Sequence, residues 1–458
     1  MMTTNKFAYA VLLMSVLIFT TSCQSLVDDL NDDPNNFTTI TLDLALNQAQ
    51  LNQASLAGGF PSHLATMWSD QFTGTDRQYV SFDDYAINAG SFDDTWEDIY
   101  QRGIVQAQLA QQIAAEQGLA PRQGVGLIME AYYFGEAASM FGDIPFSQVN
   151  KIDEFTDPSY EGQGDVLRAA VAKLDEAIAL VGSTPVSDFS GQIYSSTATW
   201  AQIANGFKAR YLLGLMDYPA ALIAAQAAGM TNPDQDLEII STTTNFGENL
   251  YWQFEVEQRN SYLTVDNATR GISHFRNLLG DTTALSRGAA DAKTDDAARY
   301  AYFIEVGDDF ATDNIRFNVT NGWAAQTANL SILTSNEVQL ILAESAARTS
   351  APAVSVAALN AARNYWDTKL GGDSYMDYVE ADFANADAMI LAAVTEKYLG
   401  VIGLPAFYDL NRTGNLVGAT SEGGLAIAQR LLYPSTEESS NSNFPGISSL
   451  VTPLPLYQ

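Results

Sequence analysis

A single cysteine, Cys23, stands in 458 residues, so no disulfide can form within the chain and its fold must be held by burial and hydrogen bonding. The position of that cysteine is equally informative. Lys6 gives a short positive start, Phe7 to Phe19 is almost wholly apolar, and Thr20, Thr21 and Ser22 follow directly. Such a run is shorter than the ~20 apolar residues that cross a bilayer as a helix, but it suits the core of a signal peptide. A cysteine directly after small residues at the cleavage point is where a bacterial lipoprotein is acylated, although Thr20 stands where leucine is usual. Residues 1–22 are therefore expected to be a lipoprotein signal peptide and Cys23 the lipidation site. Residues 23–40, acidic, Asn-rich and broken by Pro34, read as a flexible tether. Residues 41–458 read as one helical domain.

The chain carries 22 Lys+Arg against 54 Asp+Glu, a net charge of −32. Such a field repels nucleic acid and anionic membrane surfaces, which excludes both as expected partners. With 47% hydrophobic and 11% aromatic residues, the chain has ample material for a core and is not of the disordered acidic class. No second apolar run approaches the ~20 residues that span a bilayer.

From Thr41 onward the apolar spacing is helical. Ser91 with Asp94 resembles a capping box ahead of a helix through Trp96, Tyr100, Ile104 and Ile113. Gly118 stops that helix, and Pro121 opens the next. Thr334 with Glu337 forms a similar signature before Val338, Ile341 and Leu342. The helices fall into consecutive pairs, 92–117 with 122–140, 164–181 with 197–217, and 335–348 with 354–369, as in tetratricopeptide-like packing. The fold class expected is mainly α, with such hairpins. Residues 228–330 differ: rich in Thr, Asn, Asp and Gly, they read as a loop-rich insert with short strands such as Tyr251–Val256 and Tyr300–Val306. A long segment of this kind inside a helical body is expected to carry functional surface. The same holds for the loops 68–91 and 411–458.

No Ser nucleophile elbow, phosphate-cradling glycine loop or metal-spaced Cys/His cluster occurs in the sequence. His63 and His274 are the only histidines and read as packing residues, not metal ligands. The Asp pairs lack the alternating spacing of a calcium loop and read as solvated charge. No cofactor, metal or catalytic residue is expected, although 54 acids leave a glycosidase-type carboxylate pair open.

Four segments, taken together, resemble the SusD/RagB family of outer-membrane nutrient-binding lipoproteins of Bacteroidetes. They are EAYYFGEAASMFGDIPFS at Glu130–Ser147, LTSNEVQLILAESAAR at Leu333–Arg348, EKYLGVIGLPAFYDLNRTG at Glu396–Gly414 and RLLYPSTEESSN at Arg430–Asn441. Two departures from the family pattern are Asn411, in place of the first Arg of a pair, and Leu404-Pro405, where an acidic residue is common. The motifs read as scaffold: Gly142 and Pro145 shape the turn after a helix, and Arg412 is expected to pair with a carboxylate or with carbonyls near the C-terminal loops. The resemblance implies a SusD-like fold with four tetratricopeptide-like hairpins. It also implies a non-catalytic binding role at the cell surface, with oligomeric nutrient passed to a SusC-like TonB-dependent transporter.

Sugars bind by stacking on exposed aromatics while amides, carboxylates and guanidiniums meet their hydroxyls. Trp96, Trp200 and Trp366 lie on helical stripes and are expected in the core. The ligand-binding candidates are Trp68, Arg77 and Tyr79, in or beside the loop Ser69–Gly90, with Trp252, Tyr262 and Trp323 in the insert. Trp68 and Trp323 are expected to line one arc, with Arg77 and Asn321 nearby. Capture of oligosaccharide is the leading expectation. Capture of basic peptides, as in the RagB branch, is the alternative; a hidden-carboxylate hydrolase and a purely structural envelope lipoprotein stand behind it.

Overall fold

Capping side chains, prolines and glycines mark the ends of several helices. A computed structural model describes residues 40–189, 193–280, 285–305, 314–446 and 449–458. The expected signal peptide, Cys23 and the tether up to residue 39 lie outside the described residues. The longer helices are α1 (Leu42–Leu51), α2 (Phe60–Trp68), α3 (Val105–Glu116), α4 (Ala120–Phe141), α5 (Gln163–Val181), α6 (Trp200–Gly214), α7 (Tyr218–Ala228), α8 (Ser335–Arg348), α9 (Pro352–Leu370), α10 (Ala386–Gly400) and α11 (Leu404–Thr413). Thr334 accepts from the Glu337 amide at 3.0 Å and opens α8. Thr199 and Gln202 form a full capping box at the start of α6, and prolines occupy the first turns of α4, α7, α9 and α11. The mainly α expectation holds.

Helices joined by short turns pack as neighbours: α3 with α4, α6 with α7, α8 with α9, and α10 with α11. Contacts of α4 with α5, α5 with α6 and α7 with α8 continue the stack. Very small residues make the close approaches possible. A Cβ on Gly135 of α4 would lie 2.2 Å from Tyr211 Cζ of α6, and one on Gly103 2.6 Å from Tyr133. Neither position has room for a side chain. Gly142 ends α4 at φ +87, and Ile144–Pro145 then pairs with Tyr160–Glu161, the turn expected from the Gly-Asp-Ile-Pro motif.

Two local expectations are corrected. Ser91 and Asp94 do not cap one continuous helix: Ser91 lies within a 3-10 turn, Ala89–Phe92, and a wide π-helical stretch, Asp98–Ile104, precedes α3. Asp93 accepts from Ser435 and Thr436, at the start of the short helix Ser435–Ser440. In the insert, the two stretches read as strands are largely helical, at Leu250–Trp252, Gln253–Gln258 and Ala297–Phe303. Asn249 caps the first by accepting from the Tyr251 amide. The second is held by Arg299, buried on Glu396, so tertiary contacts override the strand preference of its aromatics. Short strands do occur nearby. β1 (Tyr194–Ser195), β2 (Leu237–Ile239) and β3 (Leu330–Leu333) form an antiparallel sheet with β2 in the middle. Ile239 stands opposite both Leu330 and Tyr194.

A chain of alternating buried charges runs through the helical stack. Arg210 of α6 grips Glu337 of α8 through Nε and Nη2, at 2.8 and 2.7 Å, and also donates to Glu136 of α4 at 3.2 Å. Lys397 of α10 lies 3.7 Å from Glu337 and 3.0 Å from Asp409 of α11. Arg412 binds Asp409 and clasps both oxygens of Glu344 on α8 at 2.7 Å. Every one of these residues is under 9% exposed. Arg412 thus has the carboxylate partner expected of it, on a helix and not in the C-terminal loops. Beside this chain, Glu396 sits among Arg287, Arg299 and Arg363. Burial opposes its ionisation, but the three guanidiniums outweigh it and hold the carboxyl down at about 2.

Removing one partner from such a chain strands the others in low dielectric. Arg412→Ala is expected to lower unfolding free energy by about 3–5 kcal/mol, read as a reduced urea midpoint with unchanged slope. The depressed Glu396 carboxyl contributes stability that is complete above about pH 4.5 and lost as pH falls towards about 2. Glu396→Gln is expected to be less stable at neutral pH and to show a flatter acid limb across that window in unfolding curves.

Candidate ligand-binding cleft

Where α4, α6, α8 and α9 meet the insert, a narrow cleft of about 90 Å³ opens. Its walls are aromatic: Trp323, Tyr302, Tyr251, Tyr132, Tyr365 and Trp366. Trp323 is half-buried and donates its ring N–H to the Phe303 carbonyl at 3.2 Å, while Phe72, Tyr251 and Phe317 pack against its ring. Asn329, just before β3, and Ser331 within it also line the cleft; both side chains donate to Glu238, and Asn329 Oδ1 accepts from the Ser241 amide. The floor is the buried trio Glu136, Arg210 and Glu337. Glu136 also accepts from Tyr408 at 2.8 Å, so these charges bind one another.

Lys369, at the end of α9, supplies a cation to the lining. Its ammonium donates to Tyr365 at 3.1 Å and Glu238 at 3.3 Å and lies 3.5 Å from Asp236. Burial opposes its charge, but Tyr365, Tyr302, Glu238 and Asp236 together hold it well above the ordinary lysine range. Asp236, in turn, is pushed up to about 6, chiefly by burial. Flat apolar rings beside fixed amide, hydroxyl and ammonium donors are the chemistry that grips a polyhydroxylated ring.

A broader hollow of about 520 Å³ lies on the side of Trp96 and Tyr100. Those rings lie 4.6 Å apart, tilted by 34°, and Asp93, Glu97 and Glu437 are among its lining residues. Among the described residues, no group of three or more His, Cys, Asp or Glu side chains is placed to hold a metal ion.

The sequence candidates do not converge. Trp323 alone of them lines the cleft. Trp68 is 1% exposed; it donates to the Phe82 carbonyl and faces Tyr85 and Phe407, so the expected arc of Trp68 with Trp323 is not formed. Its place in the last turn of α2, with the buried side of that helix, is the reason. Tyr79 is buried against Phe254, its hydroxyl 2.9 Å from His63 Nδ1. Tyr262 is buried under the guanidiniums of Arg77 and Arg259. Arg77 is exposed beside Asp76, and Asn321 is exposed and accepts from Asn318. Trp252 is half-buried. Trp96, Trp200 and Trp366 are core residues as expected, as are His63, whose imidazole burial holds down at about 3, and His274, bound to the Val417 carbonyl. Sequence reasoning missed Tyr302, Asn329, Ser331 and Lys369. Lys369 was visible only as the tail of a helix, and Tyr302 lay in a run read as strand.

A family described as starch-binding and associating with the outer membrane matches residues 34–434. The chain belongs to the SusD-like family. Solved structures agree on the fold. A chitin-binding SusD homolog from Flavobacterium johnsoniae superposes with a TM-score of 0.66 at 15% identity, covering 91% of this chain and 98% of that one. A SusD-like protein from Bacteroides thetaiotaomicron gives 0.65 at 16%, covering 86% and 93%. A SusD/RagB family protein from the same organism gives 0.60 at 17%, covering 88% and 95%. At these identities the likeness shows the fold. No curated relative matches the chain by sequence. The family is associated with the outer membrane, and among the described residues no helix is long and apolar enough to cross a bilayer.

Proposed function

We propose that this SusD-like protein is a non-catalytic, lipid-anchored surface receptor for oligosaccharide. It holds the glycan in the Trp323 cleft and passes it to a SusC-like TonB-dependent transporter. The observation that carries this reading is the half-buried Trp323 ring, held by its neighbours and sharing an aromatic cleft with Asn329, Ser331 and Lys369. Two further points support it. The cleft carboxylates Glu136 and Glu337 are bound to Arg210, which suits structure better than acid–base work on a glycosidic bond. The leader ending at Cys23 suits a lipid anchor on the outer membrane. The chitin-binding likeness makes N-acetylglucosamine oligomers the first ligands to try, with starch-type oligomers beside them.

A second reading, capture of basic peptides, draws on the broader hollow, where Asp93, Glu97 and Glu437 accompany the Trp96–Tyr100 ring pair. The two readings separate by salt, because neutral glycans respond little to ionic strength whereas basic peptides do. Calorimetric titration with chitohexaose, maltohexaose and lysine-rich peptides at low and high salt is the test. Salt-insensitive binding of an intact hexasaccharide, weakened roughly tenfold or more by Trp323→Ala, is expected. Salt-sensitive peptide binding with no glycan binding would overturn the proposal in favour of the second reading.

A further inference from the structure

The most exposed large apolar side chain of the described residues is Phe246, 83% exposed. Its backbone is equally unusual. Phe246 lies at φ +67, in the left-handed region that bulky side chains rarely occupy. The turn that imposes this is tightly closed: the Thr242 amide donates to the Gly247 carbonyl and the Gly247 amide to the Thr244 carbonyl, both at 2.7 Å. The Thr244 amide donates to Thr242 Oγ1 at 3.1 Å. A Cβ on Gly247 would lie 2.6 Å from that same hydroxyl, so the turn has no slack.

This turn is anchored to the wall of the cleft. At one end the Ser241 amide donates to Asn329 Oδ1 at 3.2 Å. At the other, the Asn249 amide donates to the Gln326 carbonyl at 3.0 Å and its side-chain amide to the Ala328 carbonyl at 2.9 Å. Asn329 lines the cleft, and residues 326–329 connect it to Trp323. A ring that neither packs nor relieves backbone strain lowers stability on both counts, and such positions cluster at ligand sites. We infer that Phe246 is an outer aromatic platform of the cleft, stacking on a sugar ring at its mouth while Trp323 holds the inner part of the chain. This deepens the proposed function and rests on it. The ligand class that fits is an oligosaccharide of pyranoses whose C–H bonds align on one face, since that face is what a lone exposed phenyl ring can cover.

The test compares wild type, Phe246→Gly, Phe246→Trp and Trp323→Ala, with chitohexaose and maltohexaose affinity and thermal midpoint measured for each. Phe246→Gly accepts the left-handed backbone without strain, so its thermal midpoint is expected to hold or rise while affinity falls roughly tenfold. Phe246→Trp is expected to retain binding within about threefold. A lowered midpoint with unchanged affinity would assign Phe246 to packing and overturn the inference. If Trp323→Ala weakens glycan binding and Phe246→Gly does not, the platform falls and the cleft assignment stands. If wild type binds neither hexasaccharide, both fall together.

Discussion

The alternating run Glu136–Arg210–Glu337–Lys397–Asp409–Arg412–Glu344 is the constraint on which the rest of this structure depends. It joins α4, α6, α8, α10 and α11, which come from sequence regions as far apart as residues 136 and 412. Each charge is stripped of water, so each requires its neighbour, and a helix that slid by one turn would leave several of them alone. Apolar faces built largely of Ala and Gly pack closely but distinguish poorly between registers. The charges supply that distinction. The Tyr211 ring over Gly135 and the Tyr408 hydroxyl on Glu136 then fit one register only.

This frame explains why the motifs that mark the family are scaffold. Glu337 and Glu344 from the segment Leu333–Arg348, Glu396 and Lys397 from its Glu-Lys-Tyr, and Arg412 from its Arg-Thr-Gly are all buried in the charge clusters. Thr334 and Glu337 show the economy involved. The capping hydroxyl is used as expected, but the glutamate that would complete a capping box turns instead to Arg210. The cleft borrows this frame as its floor and takes its lining chemistry from the insert and the end of α9. Ligand preference can then change in loops without disturbing the helices that hold them.

Most of the long helices were legible because a 3.6-residue apolar period marks them, whereas Arg77–Asp83 fell in a stretch read as a loop; Arg412's carboxylate partner was legible from residue type. Which carboxylate it finds was not, since Arg412 and Glu344 are 68 residues apart and several acids compete. Of the residues lining the candidate cleft, Trp323 alone was singled out from the sequence. Trp68 and Tyr79 border a loop in sequence, yet their side chains turn inward, and bordering a loop is not exposure. Tyr302 was hidden because an aromatic-rich run resembles a strand until Arg299 pins it as a helix. The turn at Thr242–Gly247 carries an ordinary composition, and only its backbone angles set Phe246 apart.

The central claim is that a rigid charged frame presents one glycan cleft between the insert and α9. Hydrogen–deuterium exchange with and without saturating chitohexaose tests it most directly. The account predicts slow, ligand-independent exchange in α4 and α8, and new protection confined to residues 240–256 and 321–331 and the end of α9. Protection centred on the Trp96–Tyr100 hollow, or ligand-dependent exchange throughout α4 and α8, would contradict it.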